Sequence, residues 1–234
     1  MKKFLVSDYD RTFYLDDEDI KNNVKRVKEF RDKGNIFAIA TGRSLYTFNE
    51  IIDKYKIEYD YLILNSGATI LNKEHEIIGN YPINNKIKEE IRKELNLKDD
   101  GKLFVSKCLE SKISIKENDI TKINIICDNK KDQTELNDIL NTKYHKYIKS
   151  YIISGQNNSI EIISSKTSKA EAISKVANIE DINKENIYTV GDSYNDLEML
   201  EKFNGICMEN SEEFVKTKIN RKCSKVIQVI DEIM

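Results

Sequence analysis

Asp8 and Asp10 stand one residue apart, just after the apolar run Phe4-Leu5-Val6, so in an extended chain both carboxylates lie on one side. Two carboxylates so placed can divide a phosphoryl transfer between them. Asp8 is the candidate nucleophile, since a carboxylate can attack phosphorus and form an aspartyl-phosphate. Asp10 is the candidate acid/base: kept protonated by its charged neighbour or by burial, it gives a proton to the leaving alcohol and later draws one from water. Attack by an anion on an anionic phosphate also needs local positive charge. Mg²⁺ supplies such charge through one or two carboxylates while keeping waters and substrate oxygens. Asp192 is the candidate second metal carboxylate, and Asp196, four residues on, shares its face if the intervening turn is helical. Lys169, which follows Ser168 at the head of an amphipathic stretch, is placed to offset phosphate charge. Thr41 can donate a hydroxyl hydrogen bond near a helix N-terminus.

These residues need elements that bring them together. Phe4-Leu5-Val6 leads into Ser7-Asp8-Tyr9-Asp10, after which Ile20, Val24, Val27 and Phe30 recur at helical spacing until Gly34. Ile36 to Ala40 leads into Thr41-Gly42-Arg43-Ser44, Tyr61 to Leu64 into Asn65-Ser66-Gly67, and Ile187 to Val190 into Gly191-Asp192-Ser193. Short apolar runs alternating with helical periods predict an α/β fold on a parallel sheet. In such a sheet, ligands bind beyond the carboxyl ends of the strands, which turns four separate motifs into one site. Each motif has a plainer reading: Asp8-Tyr9-Asp10 as a surface turn, Thr41-Gly42 as a strand-to-helix turn, Arg43 as a helix-face ion-pair partner, Asn65 as a turn former, Asp192 and Asn195 as helix caps. Their common position after predicted strands argues against taking them separately.

The segment from about Ile83 to Glu161 reads differently. A helical stretch (Ile87, Ile91, Leu95) precedes strand-like runs at Leu103 to Val105, Ile123 to Cys127 and Tyr151 to Ser154, with a second helix around Leu136 to Leu140 and a last strand at Ser159 to Ser164. The charges from Asp128 to Asp132 read as a solvated loop. We expect an inserted α+β domain at 83–161, with residues 1–82 and 162–234 forming a discontinuous Rossmann-like core.

The composition limits the alternatives. The 234 residues carry 38 basic and 40 acidic side chains, well mixed, a balance that offers no broad field for nucleic acid. No apolar run approaches the roughly 20 residues that span a bilayer, and Asp8 and Asp10 interrupt the N-terminus before a signal-peptide apolar region develops. A cytoplasmic protein, monomeric or weakly dimeric, is expected. The four cysteines form no CxxC pair, and His75 and His145 have no partner at metal-ligand spacing. A GxxxxGK[ST] loop and a GxGxxG fingerprint are both absent, which disfavours other nucleotide enzymes.

Four segments together resemble the haloacid dehalogenase superfamily. Asp8-Tyr9-Asp10-Arg11-Thr12 resembles its first signature and Ala40-Thr41-Gly42-Arg43 its second; Lys169 is similar to the third, and Gly191-Asp192-Ser193-Tyr194-Asn195-Asp196 to the fourth. The long insertion between the second and third resembles the Cof-type sugar-phosphatase branch. The resemblance implies a Mg²⁺-dependent phosphatase acting on a small phosphorylated metabolite. Asp8 would be nucleophile and Asp10 general acid/base, and the metal would be held by Asp8, the Asp10 carbonyl and Asp192, supported by Asp196. Thr41, Gly42 and Lys169 would hold the transferring phosphate and Asn195 would orient Lys169 or the phosphate, while Arg43 and Asn65 would line the substrate entrance beneath a closing cap. Two departures stand out: Arg11 where the family usually has glycine, and Ser66 where the branch often has asparagine. A phosphomutase or phosphotransferase on the same scaffold is one alternative. A phospho-metabolite-binding regulatory protein, suggested by Arg11, is another.

Overall fold

The computed structural model describes residues 2–153 and 157–234. In chain order, strand β1 (Phe4–Ser7), helix α1 (Asp17–Asp32), β2 (Ile36–Ala40), α2 (Leu45–Tyr55) and β3 (Tyr61–Leu64) alternate as the periodicity predicts. A hairpin, β4 (Thr69–Asn72) and β5 (Ile77–Asn80), follows. Next come α3 (Asn85–Glu94), β6 (Leu103–Lys107), β7 (Glu110–Ser111), β8 (Lys122–Ile126), α4 (Lys130–Lys143), β9 (Ile148–Ile153) and β10 (Ser159–Ser164). The chain then returns to alternation with α5 (Lys169–Ile179), β11 (Ile187–Gly191), α6 (Leu197–Lys202), β12 (Asn204–Met208), α7 (Glu213–Lys218), β13 (Lys222–Cys223) and α8 (Val226–Ile233).

The larger sheet has eight strands in the order β13-β12-β11-β1-β2-β3-β4-β5. From β13 to β3 all neighbours are parallel. The last two pairings are antiparallel, so the sheet is mixed and not purely parallel, because a short turn after Leu64 folds the chain straight back on itself. Alternate residues of the central strands enter opposite cores. Leu5, Phe37, Ile39 and Leu62 pack with Phe30, Phe48, Val229 and Ile230 on one face. Phe4, Val6, Ala38 and Ile63 pack with Ala170, Ile173, Val176 and Met199 on the other. This accounts for the unbroken apolar runs: each strand is buried on both faces. The end of α1 is tied to the start of β3 by a bidentate pair, with Arg31 Nε and Nη2 donating to Asp60 at 2.9 and 2.8 Å.

A separate five-stranded antiparallel sheet, β7-β6-β8-β10-β9, lies between residues 103 and 164, so its last strand extends past residue 161. One face packs with α3 and α4 through Ile87, Ile91, Leu140, Ile123, Ile160 and Ile162. The other presents Ser106, Lys122, Asn124 and Ser159 to a cavity shared with the larger sheet's loops. The segment read as a charged loop from Asp128 is largely helix. Asn129 caps α4 by accepting from the Lys131 and Asp132 amides at 2.9 and 3.0 Å, a local interaction that outweighs the poor apolar periodicity. Of the expected strand at Tyr151 to Ser154, Ser154 lies outside the described residues. No helix among the described residues is long and apolar enough to cross a membrane.

Gly67 links fold to site. Its φ is +101°, and a Cβ there would lie 2.2 Å from the Ser168 carbonyl oxygen. Its own carbonyl accepts from Thr167 Oγ1 at 2.7 Å, so the turn after β3 is the seat for the start of α5. Gly67→Ala is therefore expected to cost about 2 to 4 kcal/mol, through strain at a left-handed position and a backbone clash. Urea denaturation checks this; a loss below about 0.5 kcal/mol would show that α5 is not anchored there.

Candidate active site

The four predicted strand ends converge. Asp8 follows β1, and its amide donates to the Val190 carbonyl at 2.9 Å, which locks the first motif to the fourth. Asp192 follows β11. The short 3-10 turn Tyr194–Asp196 bends the chain so that Asp196 Oδ2 accepts from the Asp192 amide, the Ser193 amide and Ser193 Oγ at 3.1, 3.0 and 3.0 Å. Lys169 is the first residue of α5, whose N-cap Ser168 accepts from the Glu171 amide at 3.2 Å. Its ammonium donates to Asp8 Oδ1 and Asp196 Oδ1, both at 2.6 Å.

Lys169 is 1% exposed and Asp196 not at all, so this bridge lies in the interior. Oxygens of Asp8, Asp192 and Asp196 all fall within 4.8 Å of one another. Asp192 Oδ1 accepts from Thr12 Oγ1 at 3.3 Å. Its Oδ2 is buried and accepts no hydrogen bond among the described residues, with the Arg11 guanidinium 3.4 Å away. Burial holds the Asp8 carboxyl well above its usual range against the pull of Lys169, and the Asp196 and Asp192 charges push the same way. Burial, then Asp196, raises Asp192 to about 7, while Arg11 and Lys169 pull it down. For Lys169, burial opposes the charge, but Asp196 and Asp8 outweigh it and hold the ammonium above its ordinary range. Three buried carboxylates facing one buried ammonium, with one carboxylate oxygen unbonded, fit a divalent cation: all the donors are oxygen, as Mg²⁺ requires.

Asp10 lies elsewhere. Its carboxylate is half exposed and gripped bidentately by Arg43, with Nε at 2.9 Å and Nη2 at 2.6 Å. The two carboxylates thus have different partners, Lys169 for Asp8 and Arg43 for Asp10, and the chain turns after the strand ends at Ser7, with the Phe13 amide donating back to the Asp8 carbonyl at 3.1 Å. Arg43 comes from the second motif, where the Thr41 hydroxyl accepts from the Arg43 amide at 3.2 Å and the Thr41 carbonyl accepts from the Ser66 amide at 3.0 Å. Asp10, Gly42 and Arg43 line a cavity of about 410 Å³ whose far wall is the antiparallel sheet.

Asn65 is fully buried and does not line that cavity. Its Nδ2 donates to the Cys108 carbonyl at 2.9 Å, so it ties the turn after β3 to the smaller sheet. Asn195 Nδ2 donates to Ser66 Oγ at 3.4 Å and its Oδ1 accepts from Ser193 Oγ at 2.8 Å, while the Lys169 ammonium donates to Asp8 and Asp196 instead.

Two residues at the junction, Lys122 and Glu161, escape a reading by motif. Ser66 donates to the Glu161 carboxylate on β10, Lys122 on β8 donates to the Gly42 carbonyl, and Lys122 pairs with Glu161 at 3.5 Å. A Cβ on Gly42 would stand 3.0 Å from Glu161 Oε2, so a side chain there would press on the carboxylate that the smaller sheet brings to the second motif. The one available signal was Glu161 itself, a carboxylate set among Ile160, Ile162 and Ile163. Arg11 is not among the residues that line this cavity.

Comparison with known proteins agrees with this architecture. A profile of the haloacid dehalogenase-like hydrolases matches residues 5–108 and 98–228. A Bacillus subtilis protein, 5-amino-6-(5-phospho-D-ribitylamino)uracil phosphatase, is 25% identical over 223 residues, spanning 92% of this chain and 86% of its own. Among solved structures, a haloacid dehalogenase-like hydrolase from B. subtilis superposes with a TM-score of 0.82 at 16% identity, covering 99% of this chain and 100% of the other. Another, from Bacteroides thetaiotaomicron, gives 0.77 at 17% identity with 100% of both covered. At those identities the superpositions speak for the fold. This chain belongs to the haloacid dehalogenase-like hydrolase family. Within it, the enzyme is a phosphatase.

The Asp192 environment yields a pH prediction. With a carboxyl near 7 folded and about 3.9 unfolded, the native state binds more protons between those values. The stability this contributes is complete below about pH 4 and is lost as pH rises through about 7. The metal-free melting temperature should therefore fall between about pH 5 and 7.5, with a shallower slope in Asp192→Asn. Identical slopes would assign the titration to another group.

Proposed function

We propose that this chain is a Mg²⁺-dependent phosphatase that hydrolyses a small phosphorylated metabolite, a sugar phosphate foremost, through an aspartyl-phosphate on Asp8. The observation that carries the reading is the buried Lys169 ammonium, 2.6 Å from both Asp8 and Asp196, beside a third carboxylate at Asp192. Asp8, Asp192 and Asp196 are the side chains that would hold or support the metal, with the Asp10 carbonyl as a further ligand. When bound, Mg²⁺ offsets the negative charge that nucleophile and phosphate bring together.

The remaining steps belong to the chain. Lys169 holds one Asp8 oxygen in place and supplies fixed positive charge where the phosphoryl group arrives. Asp196, with both oxygens engaged, orients Lys169. Asp8 attacks phosphorus, the bond to the leaving oxygen breaks, and Asp10 gives that oxygen its proton. Water then attacks the aspartyl-phosphate, Asp10 takes a proton from it, and Asp8 and inorganic phosphate are released. To reach the leaving group, Asp10 must turn from Arg43, and an incoming anion is a competing partner for that guanidinium. Thr41 and Gly42 would cradle the phosphate.

The cavity favours a polyhydroxylated leaving group, since Ser44, Thr47, Ser106, Ser111, Asn124 and Ser159 all face it. Residues 83–161, with β10 continuing to Ser164, would act as the cap that excludes water and selects substrate. The B. subtilis relative, a phosphatase for a phosphorylated ribityl compound, is in keeping with such a leaving group. The four cysteines are free thiols, which suits a cytoplasmic setting.

Phosphate release from a panel of sugar phosphates, with Mg²⁺ or with chelator, tests the reading. Mg²⁺-dependent turnover is expected, falling at least about a thousandfold in Asp8→Asn while the melting curve stays cooperative. Normal turnover in that variant would remove Asp8 from the nucleophile role.

A further inference from the structure

Arg11 takes a backbone conformation that suits glycine. Its φ is +63°, a left-handed value that a side chain rarely adopts unless the surroundings hold it there. Here they do. Arg11 Nη2 donates to the Asn210 carbonyl at 2.7 Å, and Asn210 Nδ2 donates back to the Arg11 carbonyl at 3.0 Å. Both ends of the residue are thereby fixed to the loop after β12, although the side chain is 47% exposed. The clamp points the other guanidinium nitrogen at Asp192, with Nη1 3.4 Å from Oδ2, the buried carboxylate oxygen that accepts no hydrogen bond among the described residues.

We propose that Arg11 is a resident counter-ion for Asp192 that sets the metal affinity of the site, because its guanidinium is paired with the carboxylate oxygen that an arriving cation would use. The inference rests on the reading of Asp8, Asp192 and Asp196 as a Mg²⁺ site. Mg²⁺ binds oxygen at about 2.0 to 2.1 Å and tolerates little distortion, so it competes with the guanidinium for the charge of Asp192 and is repelled by it. A lysine or a free-swinging arginine could withdraw into solvent. The bond from Nη2 to the Asn210 carbonyl restrains the Arg11 guanidinium, and the bond from Asn210 Nδ2 holds the backbone that carries it. The cluster of three carboxylates and one ammonium is thus partly neutralised by the chain itself, and the metal enters only against that charge. Arg11 is a tuning residue and not a catalytic one: it acts on phosphate chemistry only through Asp192.

Isothermal titration of the full-length chain with MgCl₂ tests this. Arg11→Asn removes the charge with a residue that accepts left-handed backbone. It should bind Mg²⁺ about tenfold more tightly than the native chain, the order expected for deleting a half-exposed charge beside a buried ligand. Arg11→Gly should match it. Arg11→Lys keeps the charge but loses the planar fork that joins the Asn210 carbonyl to Asp192, and should fall between the two. The same ordering should appear in the rise of melting temperature at sub-saturating Mg²⁺, a readout independent of turnover, with metal-free melting curves showing that each variant is folded. Equal or weaker Mg²⁺ binding by both Arg11→Asn and Arg11→Gly overturns the proposal, as does absence of Mg²⁺ binding in all forms. Phosphate release measured on the same preparations keeps the two readings apart. Tighter binding without hydrolysis by any form would support the counter-ion and sink the phosphatase mechanism, whereas normal hydrolysis with unchanged affinity would sink the counter-ion alone.

Discussion

Lys169 holds its ammonium in the interior, 2.6 Å from Asp8 and from Asp196, and most of the architecture is arranged around that contact. A buried cation is tolerated only with carboxylates at hydrogen-bond distance, and buried carboxylates only with a cation or donors. Removing any member leaves an uncompensated charge. The cluster is also unbalanced, with Asp8, Asp192 and Asp196 facing one lysine and a half-exposed arginine. An imbalance of this kind, left in the interior, is characteristic of a site poised for another cation and for chemistry.

The fold supplies what the bridge demands. Asp8 and Asp192 leave adjacent parallel strands, joined by the hydrogen bond from the Asp8 amide to Val190. Lys169 arrives on a helix whose start rests against Gly67, at the turn beyond β3. Thus the third motif is positioned by the turn that carries Asn65 and Ser66, and that turn is in turn held by the smaller sheet through Cys108 and Glu161. The larger sheet and the antiparallel sheet are coupled at the turn beyond β3 and at the second motif. Any motion between them would have to break the Ser66–Glu161 and Lys122–Gly42 contacts.

Much of this was legible in the sequence, for a physical reason. Strands buried on both faces read as uninterrupted apolar runs, and each of the predicted runs at Phe4, Ile36, Tyr61 and Ile187 is a strand ending where the polar motif begins. The convergence of Asp8, Asp192 and Asp196 followed from the rule that such loops share one edge of the sheet, whereas Lys169, which follows a strand of the smaller sheet, was placed by its resemblance to the third signature. The antiparallel edge strands were not anticipated, since the turn Asn65-Ser66-Gly67 resembles the other strand-end motifs and carries no mark of reversal. Nor were the pairing of Asp10 with Arg43 or the contacts of Glu161 and Lys122. Those depend on side chains from distant segments meeting across a gap, and neither periodicity nor spacing records such meetings. The start of α4 was missed for the opposite reason: a local cap at Asn129 begins a helix where the charge pattern alone suggests a loop.

The central claim is that Asp8 carries the phosphoryl group. The most direct measurement is acid-quenched peptide mass spectrometry of the Mg²⁺-loaded enzyme during turnover of a sugar phosphate that it hydrolyses. The account predicts a phosphoryl group on Asp8, formed within the first turnover and lost on standing with water. A phosphoryl group on a different residue, or none while phosphate is being released, would contradict it.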